Sequence, residues 1–337
     1  MKKKLILGLA AMLAGGLALS GCASNGGSGA DGGDSANDTV EVGFFGFSAA
    51  NSFAQAVYKG VEEASTEAGA KSTFVDGQFD GQLQVQQIND AITSKRYDVI
   101  IIQANDNLAV QEPLKKAVDA GITVVVEFAP VGPELDTADP QVEGAISFVD
   151  PPVGNGEALA ELAGLACEEV GQGCKVAYME GSPALPLDKA RTDAVLSGLK
   201  ANSAIDVLPT VVGGYSSDEG RSAFQDIIQA NPDVDVVIGS TQAVAGASLA
   251  AGADSAIKFI GNGTPESAVQ RVRNGEWFAV YALDVVANGR KAAELGIAHA
   301  NGEKVEMGSL QTSLSPNNGL GTKEALDEAD FVSGYDE

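Results

Sequence analysis

The stretch DVIIIQANDNLAVQEPLKKAVDAGITVVVEF, from Asp98 to Phe128, decides the fold. Asp98–Ile102 is an almost pure aliphatic run and Asn107–Ala120 reads as a helix. Gly121 stops that helix, and Ile122–Phe128 is a second apolar run. Neither run alternates apolar with polar residues, so both describe strands buried on two faces. Strands of that kind, joined by a helix, belong to a parallel sheet covered on both sides.

The same unit repeats outward from this stretch. Upstream, Thr39–Phe45 is a strand, about Ser52 to Ala68 a helix, and Ser72–Val75 a strand. A helix follows from about Gly81 to Ser94, with Leu83, Ile88 and Ile92 at helical spacing. Downstream, Ala145–Val149 adds one more short strand, and then the pattern begins again. Helices are expected at Gly156–Val170, Pro186–Leu199, Glu219–Ala230, Ala243–Ala251 and Ala287–His299. The strands between them are Lys175–Met179, Ile205–Val211, Val234–Ile238, Ile257–Ile260 and Phe278–Leu283. Thr264-Pro265 reads as a cap residue followed by proline in the first helical position of a helix ending at Arg273. Two successive series of similar length predict two open-sheet α/β lobes. Ligands of open α/β sheets bind beyond the carboxyl ends of the strands, so two facing lobes make a cleft at that edge.

The N-terminus carries a different signal. Lys2, Lys3 and Lys4 precede an apolar run from Leu5 to Leu19, which is the layout of an export signal. The run is short of the roughly 20 residues of a spanning helix. It ends in Leu19-Ser20-Gly21-Cys22, which resembles the bacterial lipoprotein signal, cut before a Cys that is then acylated. The alternative is an ordinary secreted protein with a free Cys22. Residues 1–21 are thus expected to be a signal peptide. Residues 22–38, nearly all Gly, Ser, Ala, Asn and Asp, are expected to form a flexible tether.

The formal net charge of -25 falls to about -28 once the three signal lysines are gone. Such an acidic surface excludes nucleic acid as a natural partner. Of the remaining cysteines, Cys167 and Cys174 lie close together with Gly171 and Gly173 between them. An exported protein can bridge them, and two free thiols are the alternative. No further Cys is near and the single histidine, His299, is distant, so no metal site is expected. The chain has no phosphate loop, dinucleotide fingerprint or nucleophile elbow. No cofactor is expected, and weight shifts from catalysis to binding.

Thr39–Gly60, Asp98–Phe128, Val211–Ala247 and Phe259–Gly275 resemble the periplasmic sugar-binding proteins typified by the ribose-binding protein. The most specific pieces are Asn51-Ser52-Phe53 before a helix reaching Gly60, the turn Asn231-Pro232-Asp233, Gly261–Pro265, and Asn274-Gly275. The resemblance implies a type I periplasmic-binding-protein fold, with two parallel-sheet lobes joined by a hinge of three crossovers. The N-terminal lobe would comprise residues 39–148 and 284–312, and the C-terminal lobe 149–283 and 313–337. It also implies a monomer that is lipid-anchored outside the cell membrane and closes on one sugar-like solute. That solute would pass to an ABC permease and its ATPase.

Carried across residue by residue, the resemblance places Asn51 and Phe53 at the cleft, with a helix cap and a core anchor as their alternatives. Glu127 and Phe128 stand where the family has Asp and Arg. Asp150 lies near the first crossover, as a ligand contact or a hinge cap. Lys189 falls at a sugar-binding arginine, with Arg191 beside it as a second donor or a partner of a surface acid. Tyr215 matches an aromatic position, Thr241 and Gln242 replace an Asn-Asp pair, and Asn262 replaces an Asp. Leu283 takes a Gln position with Asp284 next to it. These departures leave fewer carboxylates than the ribose type. They keep open a less hydroxylated solute, such as a nucleoside, an amino acid, a small aromatic or an autoinducer-like compound, and also a sensing rather than a transporting role.

Overall fold

The computed structural model describes residues 39–336, and those from Thr39 onward form one compact unit. Cys22, the signal peptide and the tether lie outside the described residues. The first series comprises β1 (Glu41–Gly46), α1 (Ser52–Glu67), β2 (Lys71–Asp76), α2 (Gly81–Ser94), β3 (Val99–Ile102), α3 (Gln111–Asp119), β4 (Thr123–Phe128) and β5 (Ile146–Val149). The second opens with α4 (Pro152–Val170), β6 (Cys174–Glu180), α5 (Pro186–Ala201), β7 (Ile205–Val207), β8 (Val211–Val212) and α6 (Ser217–Ala230). It continues through β9 (Val236–Ser240), α7 (Thr241–Ala251), β10 (Lys258–Asn262), α8 (Glu266–Arg273) and β11 (Ala279–Tyr281). The chain ends with α9 (Val285–Ala300), β12 (Gly308–Leu310), two short 3-10 turns, β13 (Leu320–Thr322) and α10 (Lys323–Glu328).

Two sheets result. The first has the order β12-β5-β4-β3-β1-β2 and is parallel throughout. The second has the order β13-β11-β10-β9-β6-β7, with β8 also paired to β6 and only β13 antiparallel. The chain passes between the sheets at residues 150–151, 282–284 and 311–319.

The continuous aliphatic runs explain the layering. In β3, Val99 and Ile101 pack with Val57 and Val61 of α1 and Ala292 and Ala293 of α9, whereas Ile100 and Ile102 pack with Ile88 of α2 and Leu114 of α3. Successive side chains of a strand point to opposite faces, so both faces must be apolar. The second sheet repeats the arrangement. Val176 and Val236 face Leu159 and Val195, while Ala177 and Val237 face Phe224 and Val244. Helices α1 and α9 meet backbone to backbone through glycine. A Cβ on Gly60 would lie 2.0 Å from the Val286 carbonyl oxygen, and one on Gly289 would lie 1.9 Å from that of Val57.

Several boundaries differ from expectation. The third helix begins at Gln111 rather than Asn107, because the Asp106 side chain accepts from the Leu108 and Ala109 amides and holds them in a turn. The strand expected over Ile205–Val211 splits in two at Pro209, which has no N–H to donate to a ladder. Thr264 does not cap α8. Its hydroxyl donates instead to the Leu283 carbonyl at 2.7 Å, and Pro265 precedes the helix. Cys167 and Cys174 are joined in a disulfide that ties the end of α4 to the start of β6, Cα to Cα 5.6 Å. His299 faces Thr123 Oγ1 through Nδ1 at 3.1 Å, a contact between α9 and β4.

Candidate solute-binding site

The carboxyl ends of both sheets carry the polar side chains that the apolar strand interiors exclude. On the second sheet Arg191 is the centre. It sits in the second turn of α5, on the face that carries Ala194 and Val195 inward, and its side chain is buried. Nη1 donates to Asp188 Oδ1 at 2.6 Å and Nε to Asn155 Oδ1 at 2.5 Å. Asp188 also accepts from the Tyr215 hydroxyl at 2.6 Å and from the Ser182 amide at 2.8 Å. A Cβ on Gly181 would lie 2.6 Å from both Asp188 Oδ2 and the Tyr215 hydroxyl, so glycine lets the end of β6 approach this cluster. Asn155 and Asn262 exchange amide hydrogen bonds at 3.1 and 3.2 Å. Burial opposes charge on Arg191, but Tyr215 and Asp188 outweigh it and hold the guanidinium above its usual range. Burial likewise raises the Tyr215 hydroxyl. A small recess opens here, lined by Tyr178, Gly181, Arg191, Tyr215, Ser240 and Asn262 among others.

The first sheet contributes aromatic rings and a buried acid. Phe53 in the first turn of α1 stacks edge-on against Phe128 at 4.9 Å between centroids, and Phe47 meets Phe128 at 5.9 Å. Phe128 ends β4 at φ 71°, a left-handed conformation that a side chain with a Cβ adopts only under constraint. That turn sends the backbone away from the sheet and leaves the ring at its edge. Glu127, one residue earlier, points the other way and is fully buried. It accepts from Gln103 Nε2 at 2.8 Å and from Gln311 Nε2 at 2.5 Å. Desolvation raises its carboxyl to about 7 despite those two donors.

Between the sheets stands Asp150, at the first crossing. It accepts from the Tyr281 hydroxyl at 2.5 Å, and Tyr281 ends β11 immediately before the second crossing. Burial lifts Asp150 to about 7, against the opposing influence of Tyr281 and of Arg191.

The expected residues divide clearly. Arg191, Tyr215 and Asn262 come together, as do Phe53 and Phe128. Lys189 does not join them. Its side chain is 67 % exposed and pairs with Asp193 on the outer face of α5, because two helical positions from Arg191 is nearly the opposite side. Asn51 caps α1, accepting from the Ala54 amide at 2.8 Å, and Asp284 caps α9, accepting from Ala287 at 3.0 Å. Burial raises Asp284. Glu127 has both carboxylate oxygens engaged, by Gln103 and Gln311. Strand β9 runs two residues past the expected end at Ile238, so Ser240, Asn262 and Tyr281 lie in register across β9, β10 and β11. Thr241 and Gln242 therefore open the following helix, and Tyr281 rather than Leu283 stands at the strand end. Asn155, Asp188, Gln103, Gln311 and Tyr281 were not anticipated. Asn155 had a signal: a buried amide on the same apolar stripe as Leu159, Leu162 and Ala166.

A larger groove, about 500 Å³, lies at the opposite, amino ends of the second sheet's parallel strands, beside Lys258, Trp277 and Lys323. Among the described residues no cluster of His, Cys, Asp and Glu could hold a metal ion, and no helix is long and apolar enough to cross a membrane.

The periplasmic binding protein domain family matches residues 42–304. The chain belongs to that family. Curated relatives include the ribose import binding protein of Bacillus subtilis, 24 % identical over 260 residues, spanning 76 % of this chain and 80 % of the relative. The fructose import binding protein of Bifidobacterium longum is 26 % identical over 330 residues, spanning 94 % and 96 %. Among solved structures, an ABC transporter solute binding protein of Agrobacterium vitis bound with alpha-D-tagatopyranose superposes with a TM-score of 0.70. It is 23 % identical, and the match covers 89 % of this chain and all of that one. One from Bacillus halodurans with bound myo-inositol also gives 0.70, at 18 % identity, covering 87 % and 97 %. These likenesses agree with the architecture described above: the type I periplasmic-binding-protein fold, two parallel-dominated α/β sheets linked by three crossings.

Proposed function

We propose that this chain is the extracytoplasmic solute-binding component of an ABC importer and captures a sugar or sugar-like polyol between its two lobes. The lobes in this reading are residues 39–148 with 284–312 and residues 149–283 with 313–337. The observation that carries it is the pairing of unlike walls at the carboxyl ends of the two sheets. Arg191, Asn155, Asn262 and Tyr215 form a hydrogen-bonding wall on one sheet, and the Phe47, Phe53 and Phe128 rings face that edge from the other. A pyranose has the matching chemistry, with hydroxyls around its rim and C–H bonds on its faces. The import roles of the ribose and fructose relatives, and the sugar and inositol in the superposed structures, support the same class.

In this reading Glu127 and Asp150 act from behind the contact surface. Glu127 fixes the Gln103 and Gln311 amides, and Asp150 fixes Tyr281 at the crossing. The chain acts as a carrier and not as an enzyme, a monomer held to the membrane through acylated Cys22, with a permease and its ATPase as partners. A less hydroxylated solute is the second reading. The observation that favours it is Glu127, whose two oxygens are already occupied where the ribose type grips hydroxyls.

Thermal-shift screening of Thr39–Glu337 against pentoses, hexoses, inositols, nucleosides and amino acids, followed by calorimetric titration, tests the proposal. A ligand at 100 times its Kd stabilises by about 2.7 kcal/mol and gives a readable rise in Tm. Asn262→Ala should weaken the sugar found at least tenfold with little change in the ligand-free Tm. A response confined to nucleosides or amino acids would replace the sugar assignment.

A further inference from the structure

We infer that the C-terminal tail, residues 331–336, is a latch between the lobes beside the second crossing, with Tyr335 as the residue that joins them. The tail is anchored on the second sheet. Phe331 is buried in that sheet's core, its amide donates to the Leu326 carbonyl at 3.0 Å, and its own carbonyl accepts from Arg273 Nη2 at 2.7 Å. Beyond it the chain is pinned along the segment leading into α8. Ser333 Oγ donates to the Thr264 carbonyl at 2.5 Å, and the Glu266 amide donates to the Tyr335 carbonyl at 2.8 Å. The Ser267 amide donates to Asp336 Oδ1 at 3.2 Å.

From this anchorage the tail reaches the other lobe at two places. The Tyr335 ring meets Phe53 of α1 edge-on, 6.4 Å between centroids and perpendicular. Gly334 lies against Val286 of α9, so close that a Cβ there would come within 2.2 Å of Val286 Cγ2. The Tyr335 hydroxyl meanwhile accepts from the Thr264 amide at 3.3 Å, two residues after Asn262. One side chain therefore touches the helix that carries the aromatic wall and the loop that carries the polar wall. An opening that moves α1 away from the 263–265 loop has to separate Tyr335 from Phe53. The contact favours the arrangement in which α1 and that loop stay together, and in this proposal it raises the closed fraction before any solute arrives. Apparent affinity scales with that fraction. An edge-on aromatic pair should change it roughly two- to tenfold.

The test uses Thr39–Glu337, which contains both sheets and their cores, with spin labels at Asp90→Cys and Leu249→Cys, exposed sites on α2 and α7. Pulsed electron resonance without solute reads the distance between the lobes. Tyr335→Ala, and a chain ending at Ser333 that keeps Phe331 in the core, should both shift the distribution to longer distances. Tyr335→Phe, which keeps the ring, should stay with the parent. The effect on affinity rests on the binding role proposed above. For whichever of D-ribose, D-fructose or myo-inositol binds, Kd should rise roughly two- to tenfold through faster release. Unchanged or shorter distances in both variants would overturn the latch, as would tighter binding, which would make the tail a plug. A distance shift with none of the three sugars bound would leave the latch standing and count against the sugar assignment alone.

Discussion

Replacing Asp188 with alanine removes the carboxylate bonded to Arg191, and the structure says what that should cost. Asp188 is 2 % exposed and the Arg191 side chain 9 %, so neither is screened by water. Without Asp188 the guanidinium keeps Asn155 at Nε and loses its charged partner, while the Tyr215 hydroxyl and the Ser182 amide also lose their acceptor. Breaking a buried ion pair from one side costs about 3–5 kcal/mol, because the remaining charge is stranded. The unfolding entropy of a chain of roughly 300 residues is about 0.6 kcal/mol per degree, so Tm should fall by about 5–8 °C. Scanning calorimetry of Thr39–Glu337 measures it. Removing both charges, as Asp188→Leu with Arg191→Met, should recover more than half of the loss, since the stranded charge is gone. Solute binding should remain impaired in both variants. An Asp188→Ala protein melting within 2 °C of the parent would refute the reasoning, as would a double variant less stable than the single one.

Three further outcomes follow from particular residues. Asp150 and Glu127 are raised to about 7 in the folded chain, above their unfolded values, so the native state binds more protons than the unfolded state between about pH 4 and 7. Each therefore contributes stability that is fully present on the acid side and is lost as pH rises to 7, at up to about 1.4 kcal/mol per pH unit. Urea melts from pH 4.5 to 8 should show this decline, and Asp150→Asn should flatten it; identical slopes would exclude Asp150 as the source. At Phe128, held at φ 71°, glycine should be the better small replacement. Phe128→Gly should be about 1 kcal/mol more stable than Phe128→Ala by urea melting, reversing the usual order. Opening the Cys167–Cys174 loop with the double serine variant should cost about 2–3 kcal/mol, read as a Tm lower by about 4 °C.

Most of the architecture was legible because its strands are buried on both faces and its helices are amphipathic. Gly81–Ser94 was placed to the residue, since Asp80 caps it and Lys95 ends it in a left-handed turn. What sequence could not supply were elements with no periodicity to read. Gly308–Leu310 and Leu320–Thr322 are three residues each and exist only through their partners in β5 and β11. That blind spot mattered, because those last segments make the third crossing and carry Gln311 under Glu127.

The site divides along the same line. Phe53, Arg191, Tyr215 and Asn262 could be proposed from local resemblance, each lying in a recognisable turn or helix start. Tyr281 could not, because its role depends on strand register: only when β9 is known to reach Ser240 does Tyr281 align with Asn262 and meet Asp150. Lys189 and Arg191 show the limit in its simplest form. Both are basic, both lie on α5, and the resemblance set Lys189 at the arginine position with Arg191 beside it. The helix settles it, turning Arg191 toward Asn155 and Lys189 toward water. Burial then does the rest, since a guanidinium taken out of water must be bonded from several sides. The groups that bond it, Asp188 and Asn155, are thereby fixed as parts of the proposed binding wall.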